Sequence, residues 1–208
     1  MIIRDYKNDD RWKYDSYNIN LLRELNKCPN WYITALYKTV NYDLLKKYNI
    51  ALETGTFEGN TTIYFAEIFD KVYTVEKFVS KGNLYTSKDL SITYKNIKLL
   101  HDNIEFFEND SPKFLEEILP TINEPAFILL DAHANVTTPV KEELLAIKKF
   151  TKTKDHIIMI DDTLDIKEGS KWPSKEELVS LLKDINPQYE VNFTEYGRGI
   201  LVAHEPSK

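Results

Sequence analysis

Short apolar runs recur along the chain from residue 49 onward, and most of them end in an acidic residue. Continuous apolar runs of this length are typical of parallel strands that are buried on both faces of a sheet. Helix-like segments follow them, and an alternation of strands and helices indicates a doubly wound α/β domain. The predicted strands are Asn49–Glu53, Lys71–Glu76, Ile104–Glu108, Ala126–Asp131 and His156–Ile160.

The segment 1–47 lacks this rhythm of strands and turns. Leucines at positions 21, 22 and 25 have helical spacing within Tyr17–Asn26, and Trp31–Tyr48 carries a second apolar pattern of the same period. We therefore expect a helical extension at 1–47 that packs beside the sheet, followed by a sheet domain at 48–208. With 208 residues the chain can bury one full core, and a second globular domain is not expected.

Composition narrows the class of protein. The single cysteine, Cys28, excludes an internal disulfide, and no Cys/His cluster has the spacing of a zinc site. A net charge of -6 argues against broad nucleic-acid binding, because neutralising phosphates requires a basic face. The sequence has neither an apolar stretch of about eighteen residues nor a basic, apolar start. We therefore expect a cytoplasmic protein with no membrane partner.

The first predicted strand runs into a glycine turn, Glu53-Thr-Gly55-Thr-Phe-Glu-Gly59, directly before a helix-like segment. Glycine permits a positive φ and removes the Cβ that would hold a ligand away from the backbone, while a helix start offers unpaired amide donors. Glu53 would repel a pyrophosphate but could accept hydrogen bonds from an ammonium or a ribose hydroxyl. This favours S-adenosylmethionine over NAD as the ligand. The alternative is a glycine turn that serves backbone geometry alone.

Further polar positions fit the same ligand. Glu76 ends the second strand 21 positions after Gly55 (55 to 76), and in such folds an acid at about this separation accepts hydrogen bonds from ribose hydroxyls. A solvated acid at a strand end is the alternative. Asp110 and Ser111 follow the third strand, and they either contact adenine or cap the helix that begins near Pro112, with capping favoured for Ser111.

Carboxylates also follow the fourth and fifth strands, as Asp131 and as the pair Asp161 and Asp162. The carboxyl ends of neighbouring parallel strands meet at the edge where open α/β sheets bind ligands. Three convergent carboxylates repel one another unless a cation offsets their charge, and all-oxygen ligation indicates Mg²⁺, Ca²⁺ or Mn²⁺. For Asp161 and Asp162, roles in turns or caps are an equal alternative.

Two other features lie near these acids. His133 is two residues beyond Asp131 and can titrate near neutrality, which makes it the best-placed candidate for a general base. A hydrogen-bonding or packing role is the stronger alternative for a lone histidine. The segment Thr163–Pro173 is either a lid over the substrate or an ordinary connection between a strand and a helix.

These motifs, in this order, resemble class I S-adenosylmethionine-dependent methyltransferases, and within them the cation-dependent O-methyltransferases of the macrocin and mycinamicin sugar type. The resemblance implies a Rossmann-like, mostly parallel seven-stranded sheet with a C-terminal antiparallel hairpin, for which Tyr189–Glu195 and Gly199–Ala203 supply the strands. It spans about residues 48–204 and rests on the glycine turn, Val75-Glu76, Asn109-Asp-Ser111, Leu130-Asp-Ala-His133 and Ile160-Asp-Asp162.

The resemblance also implies roles for individual residues. His133 and Asp131 would be catalytic, and the probable ion would be Mg²⁺ or another divalent cation. The catechol-type branch has a lysine soon after the first metal aspartate, whereas Ala134-Asn135-Val136 stands here, which shifts the analogy toward sugar hydroxyls. The implied cofactor contacts are Glu53, Thr54, Gly55, Thr56, Gly59, Thr61, Glu76, Asp110, Ser111 and Asp131, and the implied metal ligands are Asp131, Asp161 and Asp162.

The sequence therefore predicts an S-adenosylmethionine-dependent O-methyltransferase that uses a divalent cation and methylates a hydroxyl of a small molecule or sugar. By the same resemblance, the extension at 1–47 would cover the active site or join the subunits of a homo-oligomer. Two alternatives remain open. One is a metal-independent enzyme that methylates nitrogen or degrades adenosylmethionine, and the other is a noncatalytic adenosyl-binding protein.

Overall fold

The computed structural model describes residues 35, 39–40, 47–57, 59–77, 94–95, 97–99, 101–133, 138–166, 171–195 and 197–206. The helix predicted at Tyr17–Asn26 lies outside these residues, as does most of the second helix predicted at Trp31–Tyr48. Within the second segment, Ala35 and Val40 are buried in the core of the sheet domain. The role of the extension as a cover or as a subunit contact stays a prediction.

The described residues contain one seven-stranded sheet, and its order confirms the predicted fold class. In chain order, its strands are β1 (Ile50–Thr54), β2 (Lys71–Glu76), β3 (Ile104–Glu108), β4 (Ala126–Leu130), β5 (Ile157–Ile160), β6 (Glu190–Thr194) and β7 (Ile200–His204). The spatial order is β3-β2-β1-β4-β5-β7-β6. Strands β1 to β5 pair in parallel, and β7 pairs antiparallel with both β5 and β6.

The strand order reverses between β1 and β4, the two central neighbours. Glu53 of β1 is level with Thr74 of β2 and Leu129 of β4, so these three strands end at the same edge of the sheet. Open α/β sheets bind ligands in the crevice that such a reversal creates at the carboxyl edge. The glycine turn after β1, Glu76 at the end of β2 and Asp131 after β4 therefore all border this crevice.

Helices cover both faces of the sheet, which explains why the central strands β4 and β5 are apolar throughout. One face buries Ala51 and Phe127 against Phe65, whose ring lies edge-on to that of Phe127 with centroids 5.2 Å apart. The opposite face buries Leu52 and Leu130.

None of the described helices is long and apolar enough to cross a bilayer. The helices are α1 (Asn60–Ala66), α2 (Ser111–Ile118), α3 (Val140–Phe150) and α4 (Lys175–Ile185), with short 3₁₀ turns at Leu119–Thr121 and Thr163–Asp165.

Candidate active site

The glycine turn between β1 and α1 is packed directly against the end of β4. Gly55 has a φ of +86°, and its N–H donates to the Val75 carbonyl at 2.9 Å. A Cβ at Gly55 would lie 2.3 Å from the Asp131 carbonyl oxygen and 3.1 Å from the Ala132 nitrogen. Position 55 therefore requires glycine for two reasons, the positive φ and the close approach of two backbone segments. This geometry joins the turn after β1 to the segment that carries Asp131.

The start of α1 also depends on a glycine. Gly59 precedes the helix with a φ of +76°, and its N–H donates to the Thr56 carbonyl at 2.8 Å. Thr61 lies in the first turn of α1, close to the crevice. The turn thus brings the predicted cofactor residues Gly55, Thr56, Gly59 and Thr61 to the carboxyl edge of β1.

Glu53 lies under the turn rather than in the open crevice. Its side chain points to the α1 face of the sheet, with the residue only 1% exposed. One carboxyl oxygen, Oε2, accepts hydrogen bonds from the Thr62 hydroxyl at 2.5 Å and the Thr74 hydroxyl at 2.6 Å. Burial raises the pKa of Glu53 to about 7, and these two hydroxyls act in the opposite direction. The predicted direct contact with a cofactor would use the other carboxyl oxygen, Oε1, if both threonine hydrogen bonds are kept.

Glu76 is held at the mouth of the crevice by backbone amides. Its Oε2 accepts a hydrogen bond from the Phe57 N–H at 2.7 Å, and its Oε1 accepts one from the Lys77 N–H at 3.0 Å. Phe57 itself has a φ of +44°, and its carbonyl accepts a hydrogen bond from the Tyr94 hydroxyl at 2.8 Å. Partial burial raises the pKa of Glu76, against the lowering effect of the two amides. The carboxylate predicted to bind ribose is thus fixed beside the glycine turn.

Asp110 and Ser111, the residues predicted near adenine, have different surroundings. Asp110 precedes α2 and forms an ion pair with Lys77, which follows β2. Ser111 is the first residue of the helix and is buried, so the prediction that Ser111 caps α2 is wrong. The Phe114 N–H instead donates to the Asp110 carbonyl at 2.9 Å. Asp110 borders the carboxyl edge, whereas Ser111 faces the interior.

Glu143, which sequence reasoning missed, is the buried acid that Ser111 and Thr54 face. It lies in the first turn of α3 with 0% exposure, and neither carboxyl oxygen has a hydrogen bond of ordinary geometry. Burial raises its pKa to about 7, and the nearby hydroxyls of Ser111 and Thr54 lower it in part. The signal was available in the sequence, since Glu143 shares the helical spacing of Val140, Leu144 and Ile147.

Thr54 links this buried acid to the candidate catalytic segment. The Thr54 side chain is fully buried, and its hydroxyl oxygen accepts a hydrogen bond from the Asp131 N–H at 3.2 Å. The Asp131 N–H also lies 3.1 Å from the Thr54 carbonyl. Thr54 and Ser111 thus occupy the interior beneath the site, and their contact with the cofactor stays a prediction.

Glu143→Gln should make stability less sensitive to pH. Because the pKa of Glu143 is raised from 4.5 to about 7, the folded state keeps a proton that the unfolded state has released within this window. Stability therefore falls as pH rises from about 4.5 through 7. We compare the free energies of unfolding of Glu143→Gln and the wild type at pH 5 and at pH 8. The difference between the two proteins should shift by about 2 kcal/mol in favour of Glu143→Gln between these pH values.

Urea unfolding at both pH values measures this effect. Glu53, whose pKa is also near 7, is present in both proteins and cancels in the comparison. Glu142→Gln is the matched control, because Glu142 is exposed in the same turn of α3. Equal pH dependence of wild type and Glu143→Gln would contradict the burial of a titrating carboxyl at this position.

Asp131 and His133 form the candidate catalytic pair at the end of β4. The His133 Nε2 lies 3.6 Å from the Asp131 Oδ1, and the His133 side chain is only 4% exposed while that of Asp131 is 29% exposed. The Trp172 ring meets the imidazole edge-on, with ring centroids 4.7 Å apart. Trp172 belongs to the segment Thr163–Pro173, of which residues 167–170 lie outside the described part of the chain. This segment, predicted as either a lid or an ordinary connection between a strand and a helix, therefore places the Trp172 ring against the candidate base.

The predicted metal ligands are not arranged as a metal centre. Among the described residues, no three His, Cys, Asp or Glu side chains are grouped so that they could hold one ion, and Asp131, Asp161 and Asp162 are all described. Asp131 lies beside His133 and Asp162 is paired with Arg198, whose Nη1 is 2.9 Å from the Asp162 Oδ2. Asp161 is buried directly after β5. The donor set thus does not fit the predicted ion in this arrangement.

Comparison with known proteins gives likeness in fold alone. No family model and no curated protein matches the sequence. A candidate caffeoyl-CoA O-methyltransferase from Staphylococcus aureus is similar, with a TM-score of 0.54 and 18% identity over 98% of this chain and 99% of its own. A methyltransferase from Geobacter sulfurreducens gives 0.57 and 12%, covering 91% of this chain and 86% of its own. An SAH-bound methyltransferase from Podospora anserina gives 0.52 and 13%, covering 95% and 87%.

These likenesses extend over most of each compared chain, so they concern the whole domain rather than one motif. Identities this low relate folds and not substrates or cofactors. By its sheet order and by these structures, the chain has the Rossmann-like fold of class I S-adenosylmethionine-dependent methyltransferases.

Proposed function

We propose that this protein is an S-adenosylmethionine-dependent methyltransferase that transfers a methyl group to a hydroxyl of a small molecule or sugar. The observation that carries the proposal is the position of Glu76. Its carboxylate is fixed by the Phe57 and Lys77 amides, beside a positive-φ glycine turn and at the reversal of strand order. A carboxylate at this place can accept hydrogen bonds from two ribose hydroxyls, and its negative charge would disfavour a phosphate on that ribose.

The glycine turn supports the same donor. Gly55 and Gly59 hold positive φ values, which give the turn its tight conformation at the carboxyl edge beside the crevice. Asp110 and Lys77 border the crevice on the β3 side, where an adenine next to the ribose would lie. The similar structure from Podospora anserina was solved with SAH bound, which agrees with this assignment of the donor.

The proposed chemistry is an in-line displacement. S-adenosylmethionine, when bound, supplies an electrophilic methyl group, and its sulfur departs as a neutral thioether. The acceptor oxygen gains the methyl group and loses its proton. His133 would hold that proton at Nε2, with Asp131 at 3.6 Å to stabilise the resulting imidazolium. The Trp172 ring would limit the orientations of the imidazole and exclude water from the same side.

Among the residues that the structure describes, Asp131, Asp161 and Asp162 are not grouped around one point, so this arrangement does not support the use of a divalent cation. The hydroxyl acceptor rests on the resemblance to sugar O-methyltransferases and on the histidine beside the crevice. A homo-oligomer formed through the extension at 1–47 remains part of the proposal, and the described residues do not bear on it.

Isothermal calorimetry with S-adenosylhomocysteine tests the donor. We expect S-adenosylhomocysteine to bind at one site per chain with micromolar affinity. S-adenosylmethionine should compete for the same site. NAD should give no heat at the same concentrations, because Glu53 at the end of β1 disfavours a pyrophosphate at the glycine turn. Absence of binding to well-folded protein would overturn the proposal.

A second experiment tests transfer itself. Incubation with S-adenosylmethionine and a panel of phenols, sugars and amines, followed by mass spectrometry, should yield a product heavier by one methylene on a hydroxyl acceptor. Methylation confined to amines would favour the metal-independent alternative. Tight donor binding with no product across the panel would favour a noncatalytic adenosyl-binding protein.

A further inference from the structure

The turn between β6 and β7 is hydrogen-bonded to the segment that follows β5. The Thr163 N–H donates to the Gly199 carbonyl at 2.9 Å, and the Leu164 N–H donates to the Arg198 carbonyl at the same distance. These two backbone hydrogen bonds place Arg198 immediately beside Asp162. The arginine side chain therefore begins at a fixed point next to the acidic edge of the sheet.

Two glycines allow this close approach. Gly197 has a φ of +59° and Gly199 a φ of +87°, so the turn uses backbone conformations that other residues rarely adopt. A Cβ at Gly199 would lie 2.8 Å from the Leu164 nitrogen and 2.9 Å from the Thr163 hydroxyl oxygen. The contact between the turn and the segment after β5 is thus closely packed, and the position of Arg198 follows from it.

The charge of Arg198 is directed at Asp162. The Arg198 Nη1 lies 2.9 Å from the Asp162 Oδ2, and the Asp162 side chain is 17% exposed. A guanidinium stays charged throughout the physiological range and binds carboxylates through a planar set of donors. Asp162 has a φ of +57°, so its backbone also holds an uncommon conformation that orients the carboxylate.

We propose that Arg198 supplies the positive charge that neutralises the acidic edge, in the place where the sequence predicts a divalent cation. A cation such as Mg²⁺ needs several oxygen ligands around one point, whereas one oxygen of Asp162 is engaged by the guanidinium. Arg198 would be a positioning residue, because it acts through Asp162 and the segment after β5 rather than on the reacting atoms. Its role in turnover rests on the proposed function, but its effect on cation binding does not.

Manganese titration monitored by electron paramagnetic resonance tests the proposal. Wild-type protein should bind no Mn²⁺ at concentrations below about 1 mM, the range of weak oxygen sites. Arg198→Ala should bind Mn²⁺ measurably more tightly, because without the guanidinium the Asp162 carboxylate can turn toward Asp131 and Asp161 and share an ion with them. Arg198→Gln keeps most of the side-chain length and should behave in the same way, which covers the case in which Arg198→Ala does not fold.

Lys148→Ala is the matched control. Lys148 pairs with Asp184 at 2.8 Å and is similarly exposed, but it lies in the last turn of α3, away from the carboxyl edge. This variant should leave Mn²⁺ binding unchanged. Stoichiometric binding of Mn²⁺ by the wild type in the micromolar range would overturn the proposal, as would failure of both Arg198 variants to gain affinity.

The rate of methyl transfer is the second measurement. With an acceptor identified, EDTA should leave the wild-type rate unchanged, and Arg198→Lys should retain more activity than Arg198→Ala because lysine keeps the charge. Calorimetry with S-adenosylhomocysteine separates the two proposals. If the wild type does not bind S-adenosylhomocysteine, the methyltransferase function is refuted. If the wild type binds both S-adenosylhomocysteine and Mn²⁺, only the role of Arg198 is refuted.

Discussion

Gly55→Ala should destabilise the protein by about 3 kcal/mol or more and abolish binding of S-adenosylhomocysteine. The positive φ of Gly55 alone costs a residue with a Cβ about 1–2 kcal/mol. The new Cβ would also lie 2.3 Å from the Asp131 carbonyl oxygen, so the backbone of one of the two segments must move. That movement would separate the turn after β1 from Asp131, and both border the proposed donor site.

Gly59→Ala is a matched comparison for this effect. Gly59 also has a positive φ, +76°, but the first atom its Cβ would meet is the Cδ1 of Ile97 at 2.6 Å. The end of an isoleucine side chain can rotate away, whereas a backbone carbonyl cannot. Urea unfolding should therefore show a smaller loss for Gly59→Ala than for Gly55→Ala. Equal losses would mean that φ strain, and not the contact with Asp131, accounts for the requirement at Gly55.

Glu76→Ala should weaken binding of S-adenosylhomocysteine by about 100-fold, because hydrogen bonds to a charged acceptor contribute about 1.5–3 kcal/mol each. The substitution removes the proposed acceptor for the ribose hydroxyls. It also leaves the Phe57 N–H without the carboxylate that it contacts at 2.7 Å, which loosens the glycine turn. Glu76→Gln keeps an oxygen for the Phe57 N–H but loses the charge, so its affinity should fall between those of the wild type and Glu76→Ala.

Calorimetry measures these affinities, and Glu108→Ala is the control. Glu108 pairs with Glu76 in the register of β2 and β3, ends its strand at the same edge, and is exposed. Removing this neighbouring acid should leave the affinity for S-adenosylhomocysteine nearly unchanged. If Glu76→Ala and Glu108→Ala had the same effect, the loss would reflect the net charge of the edge rather than a specific contact with ribose.

Strand prediction from the sequence was accurate because burial on both faces leaves a plain signal. The predicted Lys71–Glu76 and Ile104–Glu108 are the observed β2 and β3. At β4 and β5 the predictions extended one residue too far, to Asp131 and to His156, where a polar residue adjoins the apolar run. The paired register of β1 and β4 ends at Leu130, although the Asp131 N–H still donates to the Thr54 carbonyl at 3.1 Å, and a single sequence carries no record of that limit.

The site was predictable in its location and less so in the direction of its side chains. Gly55, Glu76 and Asp131 lie at the carboxyl edge, as the strand ends require. Thr54 and Ser111, also predicted to bind the cofactor, face the interior beside Glu143. The face to which each strand residue points follows from which helix covers that face, and this is known only once the helices have packed.

The acidic residues after β4 and β5 illustrate the same limit. Their sequence positions indicate a common edge, and from that a shared cation was predicted. The observed partners of Asp131 and Asp162 are His133 and Arg198, the latter delivered by the β6–β7 turn from more than thirty positions along the chain (162 to 198). Charge neutralisation by a distant arginine requires the hairpin to return beside β5, and no local spacing reports it.

Apolar runs, glycine placement and the order of strand-terminal acids were sufficient to determine the doubly wound sheet and the edge that carries the crevice, and the family resemblance added the hairpin. These properties depend on local burial and on backbone conformation, which each segment encodes for itself. The tertiary structure alone decided that Glu53, Thr54 and Ser111 point inward, that Glu143 lies beside Thr54 and Ser111, and that Arg198 meets Asp162. Such contacts join segments far apart in the chain, so they depend on how the helices and the hairpin pack against the sheet.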